Sequence, residues 1–264
     1  MNTHLSRKIH QSLLISLIIV GGTFALIGLQ IPHLTRLNET VQSPNQETWQ
    51  QKLDLTKNRL KLLKKTPAFG FDNLVADWTF LDFVGYFGDE QAREVTGYQL
   101  SPKYFEVIVE KDPRFLQAYP FLFSSSVTYA GMPKESLALM EKGLKSMTPQ
   151  SPDKSYYVWR YKAFTELLFV GDSQAAQKSY AKAAEWASTY PDPISQNIAN
   201  MSRRTAEFLA ANPDSKSAQI SSWLGVLETA VDEQTSAKAI QRIKELGGKI
   251  EIAPDGSIKV QLPE

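Results

Sequence analysis

Three glycines divide the middle of this chain into helical stretches of similar length. Gly97, Gly131 and Gly171 each end one stretch of helical periodicity and precede another, and they lie 34 and 40 residues apart. A spacing of this order predicts helix–turn–helix units that are stacked side by side. Such a stack usually offers a surface for binding protein rather than an enclosed pocket for chemistry.

The composition excludes several classes of function. The chain has 29 basic and 28 acidic residues and a formal charge of +1, so it lacks the excess of positive charge that attracts a nucleic acid. It has no cysteine, which excludes disulfides and thiol catalysis. Its three histidines, His4, His10 and His33, lie near the N-terminus, so the rest lacks a Ser-His-Asp triad and most kinds of zinc site. We therefore predict a protein that has no cofactor and no metal and is not an enzyme.

An uncharged apolar segment lies near the N-terminus, at residues 13–29. At ~1.5 Å per residue it reaches about 26 Å, and two further residues extend it toward the ~30 Å thickness of a hydrocarbon core. No small-x-small cleavage site follows it, which favours an uncleaved anchor over a signal peptide. Arg7 and Lys8 precede it and only Arg36 follows closely, which places the N-terminus in the cytoplasm. The sequence thus predicts a single-pass membrane protein, anchored by residues 13–31, whose main domain is periplasmic or lumenal.

The rest of the chain predicts an all-α fold with a small C-terminal β-hairpin. Strand-like alternation at residues 249–252 and 257–262 surrounds an Ala-Pro-Asp-Gly turn, and this hairpin should pack on the preceding helix. Besides the helix discussed next, helical periodicity and its breaks predict helices at residues 47–65, 104–111, 115–129, 133–146, 153–170, 173–188, 194–211, 216–231 and 236–246. The predicted segments are a cytoplasmic tip and anchor (1–32), a linker and juxtamembrane helix (33–68), a helical repeat domain (69–213) and C-terminal helices with the hairpin (214–264).

The most aromatic part of the chain is residues 69–88, where the pattern predicts a helix that Asp72 or Asn73 caps. Asp77 and Asp82 lie on this helix and raise the question of a catalytic acid pair. Five residues turn a helix by about 500°, so the two side chains diverge by about 140° and do not share a face. We expect one to face solvent and the other to cap or pair with a neighbouring helix. Four further residues repeat at spacings of four, three and four: Leu74, Trp78, Leu81 and Gly85.

The third helical unit resembles the tetratricopeptide repeat. Gly171-Asp172 is followed by Ala176, Tyr180 and Ala183, which is similar to the turn and second helix of that family. In the family, the small residues let paired helices approach and the aromatic residue fills the hole between units. The resemblance covers residues 71–193, and the two earlier units match it at fewer positions. Together with the predicted anchor it is similar to membrane-anchored repeat proteins of cyanobacteria, which implies a source but no activity.

The resemblance implies a concave surface lined by the first helix of each unit. Lysine, arginine and asparagine, with which family members clamp a terminal carboxylate, are mostly absent from the corresponding positions, so an apolar or aromatic ligand segment fits better. The residues that the family register places on this surface are Phe121, Ser125, Thr128, Val158, Tyr161, Thr165 and Leu168.

These features favour a membrane-anchored scaffold that binds protein partners, in the assembly or maintenance of a membrane protein complex. Two alternatives remain: a structural subunit of such a complex, or a cell-envelope hydrolase that uses Asp and Glu carboxylates. Lys61, Lys64 and Lys65 lie at the end of the first predicted helix, where the helix dipole favours cations. Contact with anionic lipid is the other explanation for these lysines.

Overall fold

The computed structural model describes residues 46–212, 214, 216–252 and 258–262. Within these ranges the chain forms helices and one two-stranded sheet, so the predicted all-α class with a C-terminal β-hairpin is confirmed. The predicted anchor at residues 13–31 lies outside them. Among the residues that the structure describes, no helix combines the length and the apolar character needed to cross a lipid bilayer.

The helices follow one another with short connections. Two of them change winding along their length. The helix at Tyr119–Phe121 follows a 3-10 turn (Leu116–Ala118) and continues as a π-helix (Leu122–Tyr129), and the helix at Tyr156–Thr165 continues as a π-helix (Glu166–Val170). In chain order the elements are α1 (Gln46–Lys65), α2 (Asp72–Gly88), α3 (Glu90–Thr96), α4 (Ser101–Lys111), α5 (Tyr119–Phe121), α6 (Pro133–Leu144), α7 (Tyr156–Thr165), α8 (Ser173–Ala187), α9 (Pro193–Ala211), α10 (Lys216–Thr229), α11 (Glu233–Glu245), β1 (Lys249–Ile252) and β2 (Ile258–Gln261).

Every helix predicted after residue 46 is present, with ends that differ by a few residues. The local signals explain this agreement: Pro133 and Pro193 occupy first turns, and Asp172 and Asp232 cap α8 and α11 by accepting from backbone N–H groups three residues on. The short helix α3 and the π winding were not predicted. Both π-helices close by bonds that reach back five or more residues, such as Gly171 N to the Glu166 carbonyl at 2.8 Å.

The three glycines lie between helices, as predicted, and all have positive φ angles, of 59°, 58° and 84° in chain order. Each of these turns also meets the α10–α11 region. A Cβ at Gly97 would lie 2.9 Å from Oδ1 of Asp232, and one at Gly171 would lie 2.7 Å from Cδ of Gln219. A Cβ at Gly131 would lie 3.5 Å from Trp223. The glycines therefore let the C-terminal helices approach the ends of the earlier ones.

Three groups of buried side chains hold the helices together. The largest contains residues of α1, α2 and α4 to α9, and includes Phe83, Phe105, Tyr119, Met140 and Tyr156. A second joins the two π-helices to α10 and α11 through Val127, Phe169, Ile220, Trp223 and Ile243. A third joins α7, α8 and α9 through Ala163, Ala176, Tyr180, Ala206 and Leu209.

The C-terminal hairpin is antiparallel, with Ile250 opposite Val260. Both residues pack against the second buried group, to which Ile243 of α11 belongs. The hairpin therefore rests on the preceding helix, as predicted from the marginal stability of an isolated hairpin.

A buried ion pair links α6, α7 and α8. Lys162 is 8% exposed and contacts the carboxylate of Glu166, which is 4% exposed. The same ammonium lies 3.4 Å from Glu141 on α6 and donates to the Ser179 hydroxyl on α8 at 3.2 Å. Burying a charge without a partner costs free energy, so the buried Lys162 ammonium requires these partners.

Gly143 allows α6 to lie against Tyr119, whose hydroxyl donates to the Pro113 carbonyl at 2.6 Å. A Cβ at Gly143 would lie only 2.6 Å from Cζ of Tyr119. We expect Gly143→Ala to lower the free energy of unfolding by about 1–3 kcal/mol, because the added methyl overpacks a buried contact. Urea denaturation of the full chain in uncharged detergent, followed by circular dichroism, measures the change.

Gly225→Ala in α10 is the matched control, because a Cβ there meets no atom within 4 Å. It should raise the free energy of unfolding by up to about 1 kcal/mol, since alanine favours the helix more than glycine does. Equal effects of the two substitutions would contradict the packing of Tyr119 on α6.

Candidate functional site

Three of the residues predicted to line a concave surface are fully buried: Ser125, Val158 and Thr165. The two hydroxyls bond within their own helix, Ser125 to the Phe121 carbonyl at 2.7 Å and Thr165 to the Tyr161 carbonyl at 2.8 Å. These three residues therefore belong to the packing between helices. In this structure they have no surface on which a partner would bind, which corrects their predicted placement.

The C-terminal helices cover part of the same region. Leu168 is half-buried and packs against the second buried group, which contains Trp223 of α10. Tyr161 is half-buried and stacks on Phe123, with ring centroids 5.6 Å apart, and burial raises the pKa of its hydroxyl. Thr128 is also half-buried. The repeat pattern does not predict where α10 packs, so the sequence does not reveal that α10 covers Leu168.

Phe121 alone among the seven is classed as exposed, with 40% of its surface accessible. Its ring lies 5.2 Å from the ring of Phe80 on α2 and 6.4 Å from that of Phe83. Phe121, the accessible predicted residue, therefore lies beside α2, whose exposed apolar side is described next.

Helix α2 has a buried side and an apolar side that faces solvent. Ala76, Thr79 and Phe83 are buried on the inner side. The outward-facing side, here named the α2 apolar face, comprises Leu74, Trp78, Leu81, Val84 and Gly85. Leu74, Trp78 and Leu81 are 56%, 73% and 64% exposed. Contiguous exposure of this kind is uncommon in soluble proteins and typically marks an interaction site.

The packing of Phe83 fixes which side of α2 faces outward. Its ring is fully buried, and the centroid distances are 4.7 Å to Phe105, 5.8 Å to Tyr104 and 5.6 Å to Phe87. Aromatic pairs in this range stabilise a contact beyond the area they bury. Rotating α2 to bury Trp78 would remove Phe83 from these partners.

Two further aromatic side chains extend the exposed apolar surface before α2 begins. Phe69 and Phe71 lie in the connection between α1 and α2 and are both strongly exposed. Phe71 occupies the N-cap position of α2, three residues before Leu74.

The two aspartates of α2 have different surroundings, as predicted. Asp77 is exposed beside the α2 apolar face and makes no ion pair with any described residue. Asp82 pairs with Arg59 of α1. The two carboxylates therefore do not form a catalytic pair, and Asp77 remains available to a cation on a partner.

Within the described ranges, no group of three or more His, Asp or Glu residues is arranged to hold a metal ion. Comparison of the chain with protein families, with curated proteins and with solved structures found no match.

A matched pair of substitutions on α2 tests the two sides of the helix. Phe83→Ala should lower the free energy of unfolding by about 3–5 kcal/mol, because it leaves a cavity among buried rings. Leu74→Ala should change it by no more than about 0.5 kcal/mol, because the side chain is exposed. Chemical denaturation of the full chain gives both values. A large loss for Leu74→Ala would mean that this side of α2 is covered within the protein.

Proposed function

We propose that this chain is a membrane-anchored scaffold that binds a helix of a partner protein on the α2 apolar face, and that it acts by binding rather than by catalysis. The observation that carries the proposal is the exposure of Leu74, Trp78 and Leu81 on one side of a helix whose other side is buried in the core. We propose further that the partner belongs to a membrane protein complex, which the scaffold helps to assemble or maintain.

The spacing on α2 supports a helical partner. Leu74 and Leu81 are seven residues apart, as are Trp78 and Gly85. A repeat of seven keeps one side of a helix against a neighbouring helix over several turns. A Cβ at Gly85 would meet no atom within 4 Å, so the partner's backbone can approach closely there. Recognition of an amphipathic helix by an apolar surface is a common binding mode.

The charge beside the face adds to the description of the partner. Asp77 is exposed next to Trp78 and lacks an ion pair among the described residues. A partner helix with an apolar seam and a flanking lysine or arginine would complement it, which favours the correct register more than it adds affinity.

The sequence supports the membrane context. Residues 13–31 have the length and composition of a membrane anchor, and α1 begins 15 residues after them. We propose that the anchor keeps the helical domain in the periplasm or lumen, within reach of membrane neighbours. We propose that the α7–α8 hairpin, in which Ala176, Tyr180 and Ala183 are buried, is a tetratricopeptide-like unit.

Crosslinking of the full chain in its native membranes tests the proposal. Trp78→Glu with Leu81→Glu should abolish capture of the partner while leaving the helical content unchanged, because both side chains are exposed. Mass spectrometry of the crosslinked species identifies the partner, and its stoichiometry distinguishes a transient scaffold from a permanent subunit.

Ala138→Glu with Ala181→Glu is the matched control, because it adds the same charge at exposed positions of α6 and α8. Capture should survive this change. Undiminished capture by the Trp78/Leu81 variant, with its circular dichroism spectrum intact, would reject the α2 apolar face as the binding site.

A further inference from the structure

A strongly basic cavity of about 320 Å³ lies between α1 and α4. The buried side chain of Leu60 contributes to its wall. The charged residues that line it are five lysines and one glutamate: Lys57, Lys61, Lys64, Lys65, Lys103 and Glu106. Because the whole chain carries a formal charge of only +1, this concentration of one sign is a local feature.

The single carboxylate in the cavity is already bonded. Glu106 accepts from Lys64 at 2.9 Å and from Lys103 at 2.6 Å. Burial alone would raise the pKa of the Glu106 carboxyl, but these hydrogen bonds and the two positive charges outweigh burial and lower it. The carboxylate is therefore charged at neutral pH and offsets one lysine.

Lys57, Lys61 and Lys65 make no ion pair with any residue that the structure describes. The dipole of α1 explains only part of this cluster, because its effect is confined to the last turn of a helix. Lys64 and Lys65 lie in that turn, whereas Lys57 and Lys61 precede it and Lys103 belongs to α4.

We propose that this cavity binds a phosphate-bearing anion, supplied either by a phospholipid headgroup or by a soluble phosphate ester. Lysine ammonium groups are compact charges on flexible stems, and several of them can converge on one phosphate. Leu60 and the aliphatic stems of the lysines provide apolar surface for the organic group attached to the phosphate. This inference does not depend on the proposed binding of a partner by the α2 apolar face.

The place of the cavity in the chain suggests a lipid headgroup as one source. It lies along the second half of α1, the first described helix after the predicted anchor. Lysine close to a leaflet that contains anionic lipid is attracted to it, by about 1 kcal/mol for each cation near the surface, so this source requires anionic lipid in the leaflet that the domain faces. A bound headgroup would hold this part of α1 at the membrane.

The test measures the rate at which each lysine of the full chain reacts with an amine-specific reagent, by peptide mass spectrometry. In one arm, glycerol 3-phosphate is added to the protein in uncharged detergent. In the other, the protein is placed in nanodiscs of phosphatidylcholine with or without phosphatidylglycerol. We expect the labelling of all five cavity lysines, Lys64 and Lys103 included, to fall several-fold in at least one arm. The protection should be smaller at higher ionic strength.

The exposed lysines Lys145 and Lys178 lie outside this cavity and serve as internal references. Protection by glycerol 3-phosphate identifies a phosphate ester as sufficient, and protection only by phosphatidylglycerol identifies a lipid headgroup. Absence of protection in both arms would overturn the proposal. Equal protection of the reference lysines would overturn it as well, because that result reflects general attraction to an anionic surface.

Variants separate the site from overall charge. Replacing Lys57, Lys61 and Lys65 by Glu should abolish the protection of Lys64 and Lys103, whereas replacing the same three by Arg should retain it. The charge-matched control replaces the exposed Lys134, Lys216 and Lys244 by Glu, which keeps the reference lysines, and should leave the protection unchanged. Partner capture should persist in the Lys57/Lys61/Lys65 variant, which distinguishes failure of this proposal from failure of the proposed function.

Discussion

The buried ring of Phe83 is the contact on which the functional interpretation depends. Its contacts with Phe105 and Tyr104 hold the inner side of α2 against α4. Because successive residues of a helix are separated by about 100°, fixing Phe83 inward also fixes the opposite side outward. Trp78 and Leu81 are therefore exposed as a consequence of core packing, and the α2 apolar face lies on a helix whose orientation this packing fixes.

The C-terminal helices determine which other surfaces remain accessible. Asp232 and Gln219 come close to the turns at Gly97 and Gly171, where a side chain on the glycine would collide with them. The same helices join the π-helical ends of α5 and α7 through the group that contains Trp223. This packing covers Leu168, one of the residues that the repeat register assigns to a partner surface, whereas the α2 apolar face remains exposed.

Lysine plays two different roles in this protein, and the difference follows from the available carboxylates. Lys162 is enclosed, and Glu166, Glu141 and Ser179 surround its ammonium. Its charge is compensated within the protein, so its role is to join three helices. Among the described residues, Glu106 is the one carboxylate that pairs with lysines between α1 and α4, namely Lys64 and Lys103. The uncompensated lysine charge is what makes that cavity a candidate for an anionic ligand.

Local signals in the sequence determined where the helices and the C-terminal hairpin begin and end. Prolines in first turns, capping aspartates and glycines with positive φ act on neighbouring residues, and so they are visible without tertiary structure. The spacing of Leu74, Trp78, Leu81 and Gly85 on α2 was also visible in the sequence. Apolar residues occur on several sides of this helix, however, so its sequence does not reveal which side is buried. Only tertiary structure decided that side, the burial of Ser125, Val158 and Thr165, and the place of α10, because each depends on contacts between residues far apart in the chain.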